Sequence, residues 1–172
     1  TLFFIRRKVD PHMSSGTVSE ARKYLMSLVD SSFKSSPTIP ESPGSLESQI
    51  DRNGSQPLEI IRGYSLHYSL FNIRAFFSLA ALAETFNIDL WRYKTKKGIC
   101  LQNAIDYVIP YIGKQKKWPY DDIGRGQHKK WSMLLIQAVA KYNLRKYTIA
   151  LKLSEEINKQ RYNSYYRLIV PI

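Results

Sequence analysis

Residues 53–72 read Asn-Gly-Ser-Gln-Pro-Leu-Glu-Ile-Ile-Arg-Gly-Tyr-Ser-Leu-His-Tyr-Ser-Leu-Phe-Asn, a glycine-containing turn that leads into an apolar helix. The apolar pattern continues at the spacing of one helical face, which predicts a long helix ending near Asn87. Its apolar positions are Leu66, Leu70, Ile73, Phe76, Phe77, Ala80 and Ala83. A stripe this broad indicates burial on more than one side of the helix. Helix propensity does not explain the arginine, histidine and tyrosines near its start.

The rest of the chain indicates further helices and no strand pair. Apolar residues recur at helical spacing in four more regions, 18–33, 99–109, 131–139 and 147–157. Serine, proline and glycine dominate about 35–57, which predicts an irregular loop. The tyrosine-rich tail over 161–172 allows a short extended segment. We therefore predict one all-α domain over 1–172, built as an antiparallel helical array.

The chain is strongly basic, with a net charge of +12. This charge predicts attraction to polyanions such as nucleic acid, anionic lipid or acidic polysaccharide, although an ordinary lysine-rich surface is the alternative. An apolar fraction of 44% excludes a disordered composition. Twelve tyrosines and three tryptophans exceed the needs of a core, and aromatic faces stack on sugars or bases. No run of about 20 apolar residues occurs, so we expect no transmembrane helix.

Cysteine and histidine usage argues against a metal site. Cys100 is the only cysteine, which excludes an intramolecular disulfide. Its apolar neighbours indicate a small buried thiol rather than a nucleophile. The histidines, His12, His67 and His128, lack the spacing of zinc ligands. We therefore expect neither a metal nor another cofactor.

Arg62, His67 and Tyr68 supply in one small region the residue types that β-elimination from a uronic acid requires. The reaction removes the proton at C5 of the sugar, so the adjacent carboxylate must be neutralised, a task suited to arginine. Tyrosinate or neutral histidine can take the proton, and a neighbouring arginine favours tyrosinate. On one helix, Tyr64, His67 and Tyr68 would converge. The alternative is structural, with these rings filling the edge of the core.

A second group of residues suits substrate binding. Trp118 and Tyr120 could form a platform for stacking a sugar, beside the positive side chains of Lys116 and Lys117. Packing of the loop that contains them is the alternative. Gln56 lies at the entry to the long helix, near its positive end. We expect Gln56, Tyr64 and Lys117 to contact substrate as well.

The same residues resemble a known family. The order of Asp51–Glu59, Arg62 and Ser65–Asn72 is similar to that in the catalytic domains of the alginate lyase superfamily. Further positions at family-like spacing are Leu82, Ala83, Asp89, Leu90, Trp91, Ala104, Asp106, Tyr107, Pro110, Tyr111, Trp118, Pro119 and Tyr120. The resemblance runs from Ile50 to about Ile123, somewhat under half of the chain.

The resemblance implies an incomplete α/α toroid whose groove binds an acidic polysaccharide such as alginate, and metal-independent β-elimination that yields an unsaturated uronate. Arg62 matches the groove arginine near the substrate carboxylate, and His67 and Tyr68 match the segment that supplies the tyrosine acid/base. In some branches that tyrosine stands one residue later, at the place of Ser69, so Tyr64 is a second candidate. A secreted or periplasmic location is also implied. We expect neither nucleic acid nor a membrane as a partner.

One family motif has no counterpart here, an upstream Asn-Asn-His whose amide and imidazole neutralise the carboxylate. We therefore expect the chain to be the C-terminal portion of a longer enzyme or a truncated relative. Two alternatives are a non-catalytic remnant that binds polyuronate and, from the charge alone, a basic helical protein that binds nucleic acid. Competition between polymers distinguishes polyuronate binding from nucleic-acid binding better than the salt dependence of binding does, because phosphate and uronate contacts both weaken with salt.

Overall fold

The structure, a computed structural model, describes residues 46–122 and 128–158 together with six residues between 19 and 26. Its helices are α1 (Leu46–Gln49), α2 (Pro57–Ile60), α3 (Ser65–Glu84), α4 (Leu101–Val108), a 3₁₀ helix (Ile109–Lys114), α5 (His128–Tyr142) and α6 (Arg145–Asn158). The described residues add one isolated antiparallel bridge, between Tyr64 and Asp122. The predicted all-α fold class is confirmed. None of these helices combines the length and apolarity needed to cross a membrane.

Helix α3 follows the apolar pattern that predicts it. Leu70, Ile73 and Phe77 are almost completely buried, because the stripe spacing turns all three toward the interior. The helix ends at Glu84. The chain then turns through Asn87, whose φ of 56° is a left-handed value that asparagine tolerates. The predicted end near Asn87 is therefore confirmed.

The start of α3 differs from the prediction. The sequence pattern places Arg62 and Tyr64 on one helix with Tyr68, whereas α3 begins at Ser65. A proline opens the separate one-turn helix α2, and Arg62, Gly63 and Tyr64 lie between the two helices. Glycine costs about 1 kcal/mol in a helix interior, so Gly63 is a favourable place for the break.

The described residues form two compact units, and the first consists of the described residues up to 57 together with residues 75–104. Its core contains Phe77 and Trp91, whose rings meet edge to face with centroids 4.9 Å apart. Such a pair adds about 0.5–1.5 kcal/mol beyond the burial of its area. Cys100 is buried in this unit, as the sequence predicts.

The predicted loop over 35–57 is regular in part. Leu46–Gln49 form α1, and Leu46 and Ile50 are almost fully buried. Gly54, with a φ of 90°, provides the tight turn that follows. The prediction of an irregular loop is therefore wrong at α1, because a single helical turn is too short to show a period. Residues 35–45 lie outside the described part of the chain.

The second unit consists of residues 58–74, 105–122 and 128–158. Helices α5 and α6 form a pair within it, joined at Asn143, whose φ is 48°. Ser132 of α5 and Ser154 of α6 lie with their hydroxyl oxygens 3.3 Å apart, so the two helices run antiparallel. The pair buries Trp131, Leu134, Leu135, Ala138, Tyr147 and Ala150. Two of the predicted helices are thereby confirmed.

The helix predicted over 99–109 is confirmed by α4, but Pro110 does not end the helical structure. It lies instead near the start of the 3₁₀ helix, where its missing N–H leaves no bond unmade. Most of the helix predicted over 18–33 lies outside the described residues, although the six residues described there are helical. The tail over 161–172 also lies outside them. The single domain over 1–172 stays a prediction.

Candidate functional site

The predicted histidine and tyrosine lie in the first turn of α3, inside the second unit. His67 and Tyr68 are half-buried, and their rings meet edge on with centroids 5.2 Å apart. The backbone N–H of Tyr68 donates to the carbonyl of Tyr64 at 2.9 Å. This bond ties the first turn of the helix to the residue that precedes it, so both rings project from a defined backbone.

Arg62 lies in the turn before α3 and stacks on Tyr68. Its guanidinium carbon is 3.3 Å from the centroid of the Tyr68 ring, a cation–π contact worth about 0.5–2 kcal/mol. Its Nη1 donates to Oε2 of Glu59 at 2.9 Å. A guanidinium has five N–H donors, so this ion pair leaves donors for a carboxylate. Nearly half of the Arg62 side chain, 47%, is exposed and can be reached by a ligand.

Residues 118–122, which we call the aromatic loop, pack against two tyrosines, Tyr107 of α4 and Tyr111 of the 3₁₀ helix. Trp118 packs edge on against Tyr111 and Tyr120, with centroids 4.7 and 5.4 Å away. Tyr107 lies 6.1 Å from Trp118, and its hydroxyl oxygen is 3.0 Å from that of Tyr120. The two residues predicted to stack on sugar therefore lie together, within a cluster of four aromatic rings.

Ser65, the first residue of α3, bonds the aromatic loop to that helix. The indole N–H of Trp118 donates to Oγ of Ser65 at 2.7 Å, and this hydroxyl donates to the carbonyl of Asp121 at 2.6 Å. The isolated bridge lies next to these two bonds, since it pairs Tyr64, the residue before Ser65, with Asp122, the residue after Asp121. The aromatic loop and the helix that carries the candidate acid/base are thus held side by side.

The surroundings of Tyr107 disfavour loss of its phenolic proton. Burial raises the pKa of Tyr107 well above its ordinary 10.0, and the hydrogen bond to Tyr120 and the hydroxyl of Tyr111 add to the effect. Its phenol therefore keeps its proton at neutral and mildly alkaline pH. Tyr107 can support Tyr120 as a hydrogen-bonding partner, but it is unsuited to abstract a proton.

The remaining predicted site residues lie in different settings. Gln56 belongs to the first unit, and its side chain is buried. Tyr64 precedes α3 and is 45% exposed. Lys117 is exposed, and its neighbour Lys116 holds its ammonium 5.7 Å from the centre of the Tyr111 ring. A substrate contact for each of these residues stays a prediction.

Two contributors to the site have no role assigned from the sequence, Glu59 and Ser65. Glu59 stands three residues before Arg62, a spacing at which ion pairs form on a helical turn. The bond between Ser65 and Trp118 spans 53 residues. A partly buried indole N–H usually finds an acceptor, but no pattern along the chain identifies a serine so distant as that acceptor.

The described residues contain no group of three or more histidine, cysteine, aspartate or glutamate side chains that could hold a metal ion. The two aspartates of the aromatic loop make backbone contacts. The carbonyl of Asp121 accepts from the Ser65 hydroxyl, and Asp122 forms the isolated bridge with Tyr64. An anionic ligand in this unit would meet Arg62 over the Tyr68 ring and the lysines beside the aromatic cluster.

Comparison with known proteins finds a similarity to alginate lyases. Residues 42–118 match the family model described as alginate lyase. Among solved structures, the chain is similar to an alginate lyase from Bacteroides ovatus, with a TM-score of 0.58 and 29% sequence identity. That match covers 66% of this chain and 30% of the other, so the chain spans less than a third of that lyase. No curated protein matches. The resemblance found in the sequence is confirmed.

Proposed function

Because the chain matches the alginate lyase family over residues 42–118, we propose that it is a polysaccharide lyase that cleaves alginate or a related polyuronate by β-elimination. The observation that carries the proposal is the stack of Arg62 on Tyr68, with 3.3 Å between guanidinium carbon and ring centroid. A cation that binds carboxylates and a phenol that exchanges protons are in contact there, inside the matched stretch.

In the proposed reaction, Arg62 binds the carboxylate at C5 of the uronate and stabilises the enolate that develops. The phenolate oxygen of Tyr68 takes the C5 proton, the double bond between C4 and C5 forms, and the C4–O4 glycosidic bond breaks. The departing oxygen takes that proton from the Tyr68 hydroxyl, which regenerates the phenolate for the next turnover. His67, edge on against the Tyr68 ring, orients the ring and assists the proton transfer.

Substrate binding is assigned to the aromatic loop. Trp118 and Tyr120 offer ring surface on which a sugar can stack, and Lys116 and Lys117 add positive charge beside it. The net charge of +12 supports an acidic polymer as the substrate. A secreted or periplasmic location follows from the same proposal, because a polymeric polyuronate is met outside the cytoplasm.

A second candidate function is binding of polyuronate without cleavage. It is favoured by the bond from Arg62 to Glu59 at 2.9 Å, which offsets part of the positive charge that would neutralise the substrate carboxylate. A remnant of this kind would keep the aromatic loop and the basic surface while losing turnover.

Mass spectrometry of the products separates the two functions. The chain is incubated with alginate oligosaccharides, with Tyr68→Phe as the matched control. β-Elimination adds no water, so its unsaturated products are one water lighter than the products of hydrolysis. Growth of unsaturated products with the native chain and not with the control is the expected result. Cleavage in which every product is saturated, with none that is one water lighter, would contradict the proposed chemistry. Binding without any product would favour the second candidate.

A further inference from the structure

We infer that Ser65 is a positioning residue, whose hydroxyl sets the distance between the aromatic loop and Tyr68 so that a sugar held on the loop meets the acid/base. This inference rests on the proposed function. It concerns a residue that takes no part in the proton transfer itself. Ser65 acts through Trp118, the ring that it holds.

The geometry leaves the Ser65 hydroxyl fully engaged. It accepts from the indole N–H of Trp118 at 2.7 Å and donates to the carbonyl of Asp121 at 2.6 Å. A hydroxyl has only one proton to donate, so the bond to Asp121 fixes its direction and presents a lone pair to Trp118. The residue is fully buried, which keeps water from replacing either partner.

Ser65 connects two parts of the site that lie 53 residues apart in the chain. On one side, Trp118 packs against Tyr111 and Tyr120, so fixing its indole also fixes the aromatic cluster. On the other side, Ser65 precedes Tyr68 by three residues, less than one helical turn. Losing the hydroxyl therefore moves the stacking surface relative to Tyr68. Displacements of about 1 Å in a substrate-positioning group can lower a rate by about a hundredfold.

The link itself is tested without any ligand. Hydrogen exchange of the three tryptophan indole N–H groups is measured by NMR on the full chain, with the Trp118 signal assigned from Trp118→Phe. In Ser65→Ala, exchange of the Trp118 indole should become about tenfold faster, because a buried hydrogen bond is lost. The indoles of Trp91 and Trp131 should keep their rates. An unchanged Trp118 rate would overturn the inference.

The positioning role is tested by kinetics on alginate. Ser65→Ala and Trp118→Phe should each raise KM by about tenfold. Each should also lower kcat by about tenfold to a hundredfold, because the stacked sugar is displaced from Tyr68. The double variant should be no worse than either single one, because both changes remove the same bond. Independent effects that multiply in the double variant would refute a shared role.

The control is Ser132→Ala, which removes another buried serine hydroxyl of the same unit, the one 3.3 Å from Ser154. It should lower stability and leave KM unchanged. An equal rise of KM in this control would reduce Ser65 to a structural residue.

If the native chain neither binds nor cleaves a polyuronate while the Trp118 indole responds to Ser65→Ala, the proposed function fails, and the role of Ser65 in turnover fails with it. If the native chain cleaves alginate and Ser65→Ala cleaves it equally well, only the inference fails.

Discussion

Tyr68 is surrounded by groups that define how it can react. Arg62 covers one face of its ring at 3.3 Å, and His67 meets the ring edge on at 5.2 Å. The bond from its backbone N–H to Tyr64 anchors it to the start of α3. A substrate carboxylate that binds Arg62 is therefore brought next to the phenol, which is the arrangement that β-elimination needs.

Tyr68→Phe should lower kcat by about a hundredfold or more, because general acid–base catalysis contributes at least that much. Binding of alginate oligosaccharides should weaken only modestly, since the phenylalanine ring still supports Arg62. Turnover and Kd are measured on the same preparation. Tyr64→Phe is the matched control and should keep most of the activity. Full activity of Tyr68→Phe together with an inactive Tyr64→Phe would transfer the acid/base role to Tyr64.

Arg62→Ala should weaken both binding and turnover. A hydrogen bond to a charged group is worth about 1.5–3 kcal/mol, which corresponds to a fall in kcat/KM of about tenfold to a hundredfold. Arg62→Lys should recover only part of this loss, because an ammonium cannot bind a carboxylate in two places while stacking flat on a ring. A full recovery by lysine would mean that charge alone matters at this position.

Tyr107 predicts how stability responds to alkaline pH. Its folded pKa lies above the ordinary 10.0 because burial disfavours the phenolate. Below pH 10 the phenol of Tyr107 is neutral in the folded and in the unfolded chain, and its contribution to folding stability is complete. As the pH rises from there toward the folded pKa, the unfolded chain loses its proton first and stability falls. Tyr107→Phe should lose less stability than the native chain above pH 10, measured by urea unfolding across that range. The same pH dependence of the unfolding free energy in the variant and the native chain would contradict this prediction.

At the scale of elements, Asp106 joins α4 to the start of α6. Its carboxylate accepts from the hydroxyl of Tyr147 at 2.8 Å and from the ammonium of Lys146 at 2.6 Å. Tyr147 is fully buried, whereas nearly half of the Lys146 side chain is exposed. The two bonds should therefore differ in strength, because an exposed ion pair is largely screened by water.

Tyr147→Phe should destabilise the chain by about 1.5–3 kcal/mol, since a hydrogen bond from a buried tyrosine to a charged acceptor is lost. Lys146→Ala should cost about 0–1 kcal/mol, the range of exposed ion pairs. Urea denaturation of both variants and of the native chain measures the difference. Equal losses in the two variants would show that burial of Tyr147 does not decide the strength of this link.

Sequence patterns predict the long elements and miss the short ones for a physical reason. Helices α3, α5 and α6 bury a stripe that repeats over several turns, so periodicity reveals them. Helices α1 and α2 are one turn each, too short for a hydrophobic period to appear in the sequence. The same limit applies to the site. Arg62, His67 and Tyr68 are neighbours in the chain and could be grouped from sequence, whereas the bond between Ser65 and Trp118 exists only in the folded chain.

At the scale of the whole molecule, the net charge of +12 attracts any polyanion and speeds its encounter with the chain. Attraction of this kind does not distinguish alginate from nucleic acid, because both would bind less tightly as salt rises. Only the uronate carries a C5 proton beside a carboxylate, the group on which the contact of Arg62 with Tyr68 can act. Formation of product, rather than binding, therefore decides the function.

The most direct test of this account is ultraviolet detection of unsaturated uronate, with the chain incubated against alginate, polymannuronate, polyguluronate and polyglucuronate. The account predicts a signal that grows with time on at least one polymer and is absent with Tyr68→Phe. A folded native chain that gives no signal on any of the four would contradict the assignment of a lyase centre to Arg62, His67 and Tyr68.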